Sequence, residues 1–225
     1  MIDKTTQEII VFDYIPAVSY ALYQNHVPVI KLLSVKNNTD KEWANLNVKI
    51  TPEDDFAKPI EFFAEQIPPD TLYQPETINL KLNPSFIYTL TEKLSSLLRL
   101  TVLADGKEIY SETYEIDILA YDQWLGSSVL PEMISAFVMP NLPELSPLLK
   151  AISVTMRQWT ENSALDDYQS QDPDRVKKLM AALYKTIAEK NITYCTVPAS
   201  FGGIGQRVRM VDMVLKTKMA NCLEM

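Results

Sequence analysis

The feature that most constrains the fold is a hairpin pattern around the dipeptide Asp105-Gly106. Apolar residues alternate with other residues on both sides of it: Leu98, Leu100 and Val102 before the dipeptide, and Tyr114, Ile116 and Ile118 after it. Asp-Gly favours a two-residue type I′ turn, because both central residues of that turn need positive φ. The pattern predicts two antiparallel strands joined by a tight turn.

Other segments between residues 9 and 120 carry the same period of two. Alternating apolar positions occur before Thr51-Pro52 and before Asn83-Pro84: they are Leu46, Val48 and Ile50, and then Ile78, Leu80 and Leu82. A nearly apolar stretch over residues 27–35 ends at the turn-forming cluster 37–40. Short alternating segments separated by turn signals predict an antiparallel β-sandwich of about seven strands.

The period changes to a helical one after residue 121. Ser146-Pro147 and Asp172-Pro173 are helix starts, each with a capping residue followed by proline in the first turn. Apolar residues follow both at helical spacing: Leu148, Leu149, Ile152, Met156 and Trp159, and then Val176, Leu179, Met180, Leu183 and Ile187. Asn191 is the expected C-cap of the second helix. A short extended piece at 192–195 and a helix near 211–218 complete a mostly helical region.

Charge divides the chain at the same place. Of 225 residues with net charge −8, residues 1–120 hold 10 Lys+Arg and 18 Asp+Glu, whereas residues 121–225 hold 11 of each. Together with the change of period, this predicts two domains, 1–120 and 121–225. The acidic first domain repels phosphate backbones, so we expect no direct nucleic-acid binding by this chain.

The chain is poor in groups for catalysis or metal binding. It has one histidine and two cysteines, and Cys195 and Cys222 fit no metal-binding spacing, so we expect no metal site and no cofactor. His26 is interpreted as a solvated turn residue, Cys195 as a small buried apolar side chain, and the glycine cluster 202–205 as a flexible turn. With no signal peptide and no membrane span in the sequence, we expect a cytoplasmic location.

Cys222 is the one candidate for catalysis. It follows Asn221 and opens an apolar segment, Leu223-Glu224-Met225, in which a new helix is expected to begin. A thiolate at a helix N-terminus is stabilised by the helix dipole. Because the pattern stops in mid-helix, we expect this chain to be part of a longer one.

Several segments, in order along nearly the whole chain, resemble the N-terminal region of very large bacterial multidomain proteins related to superfamily 1 DNA helicases. They are residues 11–16 (VFDYIP), 25–30 (NHVPVI), 119–124 (LAYDQW), 136–141 (AFVMPN), 168–173 (YQSQDP), 198–201 (PASF) and 205–207 (GQR). The resemblance implies an immunoglobulin-like β-sandwich followed by a truncated, mostly α-helical transglutaminase-like domain, and hence the α+β class.

The resemblance also assigns Cys222 a role. The Gly-Thr-Cys-Leu-Asp-Leu element of the family corresponds to residues 220–225 (ANCLEM), which places Cys222 at the position of the transglutaminase-fold nucleophile. In that fold a downstream histidine and an acid activate the thiol. In this chain Ala220-Asn221 replaces the Gly-Thr pair, and no histidine follows Cys222. No nucleotide-binding motif is present, so the helicase activity does not transfer to these residues.

The leading functional hypothesis is a non-catalytic recognition or scaffolding fragment of a helicase-related, nucleic-acid-processing protein, with the downstream domains of the same polypeptide as its partners. The first alternative is the start of a cysteine hydrolase or acyltransferase with Cys222 as nucleophile and its histidine beyond Met225. The second alternative is a free-standing sandwich that acts as an adaptor.

Overall fold

The computed structural model describes residues 9–195 and 204–225 and has a mixed α+β architecture, which confirms the predicted class. These residues form two compact units. The β unit comprises residues 9–133 with 204–207, and the helical unit comprises residues 134–195 with 208–225. No helix in the described ranges has the length and apolar character needed to cross a bilayer.

Twelve strands and six α-helices follow one another along the described residues. The strands are β1 (Ile10–Tyr14), β2 (Ala17–Val18), β3 (Ile30–Lys36), β4 (Trp43–Pro52), β5 (Ile60–Ile67), β6 (Leu72–Tyr73), β7 (Leu94–Ala104), β8 (Lys107–Ile118), β9 (Gln123–Trp124), β10 (Thr193–Tyr194), β11 (Gln206–Arg207) and β12 (Met219–Ala220). The α-helices are α1 (Tyr20–Gln24), α2 (Pro84–Tyr88), α3 (Ser146–Thr160), α4 (Asp167–Ser170), α5 (Pro173–Ala188) and α6 (Val211–Thr217). Two 3-10 helices span Pro131–Phe137 and Pro143–Leu145.

The β unit contains two main sheets that share one hydrophobic core. One sheet has the strand order β2-β8-β7-β4-β5 and the other has the order β1-β3-β6. Strand pairs in both are antiparallel except β2 with β8, which is parallel. Leu33 of the smaller sheet and Leu100 of the larger one are both fully buried in the same cluster. Burial of this apolar surface is the main force that holds the sheets together.

The predicted hairpin is confirmed. β7 and β8 pair antiparallel on either side of Asp105 and Gly106, whose φ angles are 52° and 72°. The Asp105 carboxylate also accepts a hydrogen bond of 2.8 Å from the Ala44 backbone N–H, which ties the turn to β4. The local sequence therefore sets this turn, and a neighbouring strand holds it.

We expect Gly106→Ala to destabilise the β unit by about 1 kcal/mol, the cost of placing an L-residue in the left-handed region. A Cβ at this position meets nothing within 4 Å, so no clash adds to that cost. Urea unfolding followed by circular dichroism measures the change. A loss above about 3 kcal/mol would show that strain outside the turn contributes.

An aromatic cluster joins the two sheets. Phe12 and Tyr14 of β1 stack with ring centroids 5.2 Å apart, and Tyr114 of β8 meets Phe12 edge-on at 4.8 Å. The hydroxyls of Tyr114 and Tyr110 lie 2.6 Å apart. Burial raises the pKa of the Tyr114 phenol well above its ordinary value, and the hydrogen bond with Tyr110 raises it further.

Because of this cluster, we expect the protein to lose stability at alkaline pH. Tyrosines in the unfolded chain ionise near pH ~10, whereas Tyr114 keeps its proton in the folded chain. Its contribution is therefore complete below that pH and is lost as the pH rises through the folded-state pKa. Unfolding free energies measured between about pH 8 and about pH 11 are expected to fall above pH ~10, less steeply in Tyr114→Phe. Tyr168→Phe, at a mostly exposed phenol, should leave the slope unchanged.

The strand predicted from Ile78, Leu80 and Leu82 does not pair as a strand. Its ladder is limited to an isolated bridge between Leu82 and Ala57. Pro75 has no N–H to donate, and it stands where the chain leaves β6. Asn83 then caps α2, accepting a hydrogen bond of 3.4 Å from the Phe86 N–H. The side chains of this segment alternate as predicted, but no strand in the described part of the chain pairs with residues 78–80.

Helix ends are set partly as predicted. Asp172 caps α5 as expected, and its carboxylate accepts hydrogen bonds from the N–H groups of Asp174 and Arg175. Ser146 is not a cap, because the preceding 3-10 turn already directs the chain and α3 begins at Ser146 itself. Asn191 is not the C-cap of α5 either, since Glu189 holds that position. Asn191 takes the left-handed conformation two residues later, with φ 54°.

Within the helical unit, only part of the apolar face of α5 is buried. Ile152 and Met156 of α3 pack against Ala182 of α5. Met180 and Leu183, two of the apolar residues at helical spacing in α5, are 65% and 43% exposed. The small Ala182 side chain faces α3 instead, and the wide apolar stripe of α5 is only partly covered. The predicted extended piece and last helix are confirmed as β10 and α6, and β10 pairs in parallel with β12.

Candidate functional site

Cys222 lies in a hydrogen-bonded turn over residues 221–225, in which the Met225 N–H donates to the Asn221 carbonyl oxygen at 3.2 Å; the helix predicted to begin here does not form within these residues. The Asn221 side-chain Oδ1 accepts hydrogen bonds from the N–H groups of Leu223 (2.8 Å) and Glu224 (3.1 Å). The Glu224 Oε2 accepts one from the Asn221 N–H at 2.9 Å. This reciprocal pair is a capping box, with Asn in place of the usual Ser or Thr. The turn that presents Cys222 is therefore fixed at its start by its own neighbours.

Glu224 also anchors the turn to the preceding segment. Its side chain is 2% exposed, and it accepts hydrogen bonds from the Arg209 backbone N–H at 2.9 Å and the Arg209 guanidinium at 3.0 Å. Together with the Asn221 N–H, these donors converge on one buried carboxylate. The Asn-x-x-Glu spacing was a sequence signal for this capping box, whereas the contact with Arg209 had none.

The Cys222 thiol is exposed and lies beside a phenol. Tyr194 of β10 lies close enough to Cys222 that the charge Cys222 can carry, and then a hydrogen bond between the two side chains, raise the pKa of Tyr194. The parallel pairing of Tyr194 with Ala220 brings the two side chains together. A phenol can donate a hydrogen bond to a thiolate, so Tyr194 is the neighbour suited to interact with an ionised Cys222.

The other sequence candidates lie elsewhere. His26, the chain's one histidine, belongs to the β unit, where its φ is 53° after α1. Cys195 is half-buried rather than buried, and its thiol lies 3.7 Å from the Thr193 carbonyl oxygen. Gly202 and Gly203 lie outside the described residues. No group of three or more His, Cys, Asp or Glu in the described part of the chain is placed to hold a metal ion.

Arg207, from the glycine-containing loop, is held by neighbours in the β unit. Its guanidinium makes two hydrogen bonds to Asp122, at 2.9 and 2.8 Å, and one of 2.6 Å to the Thr91 carbonyl oxygen. Glu92 forms a further ion pair with it at 2.7 Å. These contacts raise the pKa of Arg207, with Glu92 the largest cause. The side chain fixes β11 to the β unit and is engaged by carboxylates.

A second candidate site is a groove in the β unit that no sequence pattern locates. We call it the β-unit groove. It is lined by residues 22–23 and 26–33 along one part of the chain and by residues 74–82 along another. Its two adjoining parts have volumes of about 560 and 330 Å³, and Thr77 and Ile78 line both. These volumes are typical of ligand-binding clefts.

The residues 74–82 that line this groove include an extended stretch without a ladder. In the described part of the chain, residues 74–80 form no backbone–backbone hydrogen bond. On β3, the smaller sheet's outer partner β6 reaches only Val35 and Lys36. Residues 30–33 of β3 therefore have a strand partner on one side only, β1. Both segments that line the groove have main-chain groups open to pairing.

The interpretation of this chain rests on the geometry described above. No protein-family model matches the chain, and no curated protein matches it significantly.

Proposed function

We propose that this chain is a non-catalytic recognition and scaffolding module, and that its β unit binds another polypeptide in the β-unit groove. The observation that carries the proposal is the groove itself, which lies beside the extended segment 74–80, whose backbone pairs with none of the described residues. Clefts of this size with mixed apolar and polar linings suit protein recognition better than a featureless surface does.

The wider setting is proposed from the sequence resemblance. The two sheets with one core are consistent with an immunoglobulin-like sandwich, and the helical unit with the beginning of a transglutaminase-like domain. The parent is then a bacterial, cytoplasmic, helicase-related protein, in which downstream domains of the same polypeptide are partners. The net charge of the first 120 residues favours a protein partner over nucleic acid.

The test begins with a phage-displayed library of random dodecapeptides selected on the full chain. Enriched peptides are synthesised, and their affinities are measured by fluorescence anisotropy. Asn79→Trp, which fills the groove, is expected to weaken binding at least about tenfold. Gln66→Trp makes the same change on β5, outside the groove, and should leave affinity unchanged. Absence of enriched peptides, or equal effects of the two variants, contradicts the proposal.

The second candidate function is nucleophilic chemistry at Cys222. The capping box and the nearby Tyr194 favour it, because they present an exposed thiol at the start of an ordered turn. Thiol chemistry of this kind requires a base to take the proton. The single histidine, His26, is in the β unit, and residues 134–195 and 208–225 contain none.

We therefore expect Cys222 in this chain to be no more reactive than a model thiol. Iodoacetamide alkylation at pH ~7, in which the thiolate displaces iodide, measures the rate, and Cys222→Ser assigns it. Cys195→Ser is the matched control. Selective labelling of Cys222 more than about tenfold faster than the model thiol would favour the nucleophile over the recognition module.

A further inference from the structure

We infer that the β-unit groove takes an extended peptide as an added β-strand, and that this peptide carries acidic side chains. This inference rests on the proposed function and specifies its ligand. It commits to main-chain pairing with residues 76–80, which lie along the groove.

The first argument is that residues 76–80 have the side-chain pattern of a strand without its backbone hydrogen bonds in the described part of the chain. Ile78 and Leu80 turn toward the core, and Leu80 is 6% exposed, while Thr77 and Asn79 are exposed. Such alternation belongs to an extended strand with one buried face. The backbone of residues 76–80 nevertheless makes no backbone–backbone hydrogen bond within the described residues. An added strand satisfies these donors and acceptors, which is how peptides bind to open sheet edges.

The second argument concerns the opposite side of the groove. Among the described residues, the first half of β3 pairs with β1 and with no second strand, since β6 is only two residues long. Pro75 interrupts the chain where a longer β6 would continue along β3. A space lined by residues 30–33 and 74–78 remains, with a volume of about 330 Å³. The interruption leaves room for a peptide where a longer β6 would have paired with the first half of β3.

The third argument is charge. Residues 1–120 carry net −8, yet the charged side chains lining the groove are Lys31 and Lys81 against Glu76 alone, with His26 at one end. The groove is thus a locally cationic part of an acidic unit. Opposite charge steers association and selects partners, so acidic side chains complement it.

The experiment uses the dodecapeptides enriched in the phage selection. Each is remade with single N-methyl groups at successive positions, which removes one main-chain donor at a time. We expect alternate positions to lose at least about fivefold in affinity, with the intervening ones little changed, since only alternate N–H groups face one edge. Amide hydrogen exchange of residues 76–80 should slow at least about tenfold in the complex.

Charge is tested with two variants. Lys31→Glu with Lys81→Glu is expected to weaken the acidic peptides at least about tenfold, whereas Lys107→Glu, on β8, should change affinity less than about twofold. This inference is overturned if peptides bind in the groove but their affinity does not alternate with the position of the N-methyl group. It is also overturned if the groove-binding peptides carry no acidic residues. Both outcomes leave the proposed function intact. Failure to select any groove-binding peptide defeats both the proposed function and this inference. Concentration-dependent dimerisation lost in Asn79→Trp would assign the groove to a second copy and also overturn it.

Discussion

Replacing Asn37 by alanine is expected to destabilise the β unit by about 3 kcal/mol. Asn37 is fully buried after β3, and its Nδ2 donates to the carbonyl oxygens of Lys41 (2.8 Å), Ile67 (2.9 Å) and Pro68 (3.2 Å). Its Oδ1 accepts from the Thr39 N–H (3.0 Å) and hydroxyl (2.6 Å). One amide therefore holds together the ends of β3 and β5 and the approach to β4. Alanine removes all five of these hydrogen bonds, including the buried one to the Ile67 carbonyl oxygen.

The neighbouring residue supplies a matched control. Asn38 is exposed, so Asn38→Ala removes the same chemical group one position away and should cost less than about 0.5 kcal/mol. Urea unfolding of the full chain, together with amide exchange in β4 and β5, measures both. Similar losses in the two variants would show that the side chain of Asn37 contributes no more than turn propensity.

Asn37 illustrates what the sequence could and could not predict. The cluster 37–40 marked a turn, because Asn and Thr hydrogen-bond locally to the backbone. The bond to Ile67 spans 30 residues of chain, and no local pattern encodes it. The hairpin at Asp105-Gly106 was predictable for the opposite reason, since its turn and both strands are adjacent in sequence.

The sequence patterns predicted which side chains alternate, but not which elements these residues pair with or pack against. Residues 78–82 have the alternation of a strand, but within the described residues their ladder is limited to one bridge, between Leu82 and Ala57. Pairing also requires the edge of a neighbouring strand, and Pro75 interrupts the chain before these residues. In α5, Met180 belongs to the apolar residues at helical spacing but is 65% exposed, whereas the helix packs through Ala182. A small residue allows closer approach of two helices, and residue size is not contained in a two-letter pattern.

The candidate sites also contain some features that a local sequence motif predicts and others that depend on tertiary structure. Cys222 was singled out by its position at the start of a helix, and the Asn221–Glu224 capping box is a local motif that agrees with it. Tyr194 approaches Cys222 only because β10 pairs with β12. The β-unit groove is lined by segments about 50 residues apart, so it required a three-dimensional structure.

Removal of the Glu224 carboxylate is the second large expected effect. We expect Glu224→Ala to destabilise the helical unit by about 3 kcal/mol, because Arg209 and Asn221 each lose a buried acceptor. Glu224→Gln keeps one acceptor oxygen and should cost about half as much, since it loses the charge that strengthens each bond. The turn bearing Cys222 then frays, and amide exchange at Asn221 should quicken at least about tenfold.

Glu189→Ala is the control for charge alone. Glu189 follows α5 in the same unit and pairs with Lys185 at 2.6 Å, but it is 61% exposed. A surface pair of this kind contributes less than about 1 kcal/mol, so its loss should be small. Urea unfolding and amide exchange on the three variants separate the effects. If Glu224→Ala costs no more than Glu189→Ala, the buried carboxylate does not organise the turn, and the fixed presentation of Cys222 loses its physical basis.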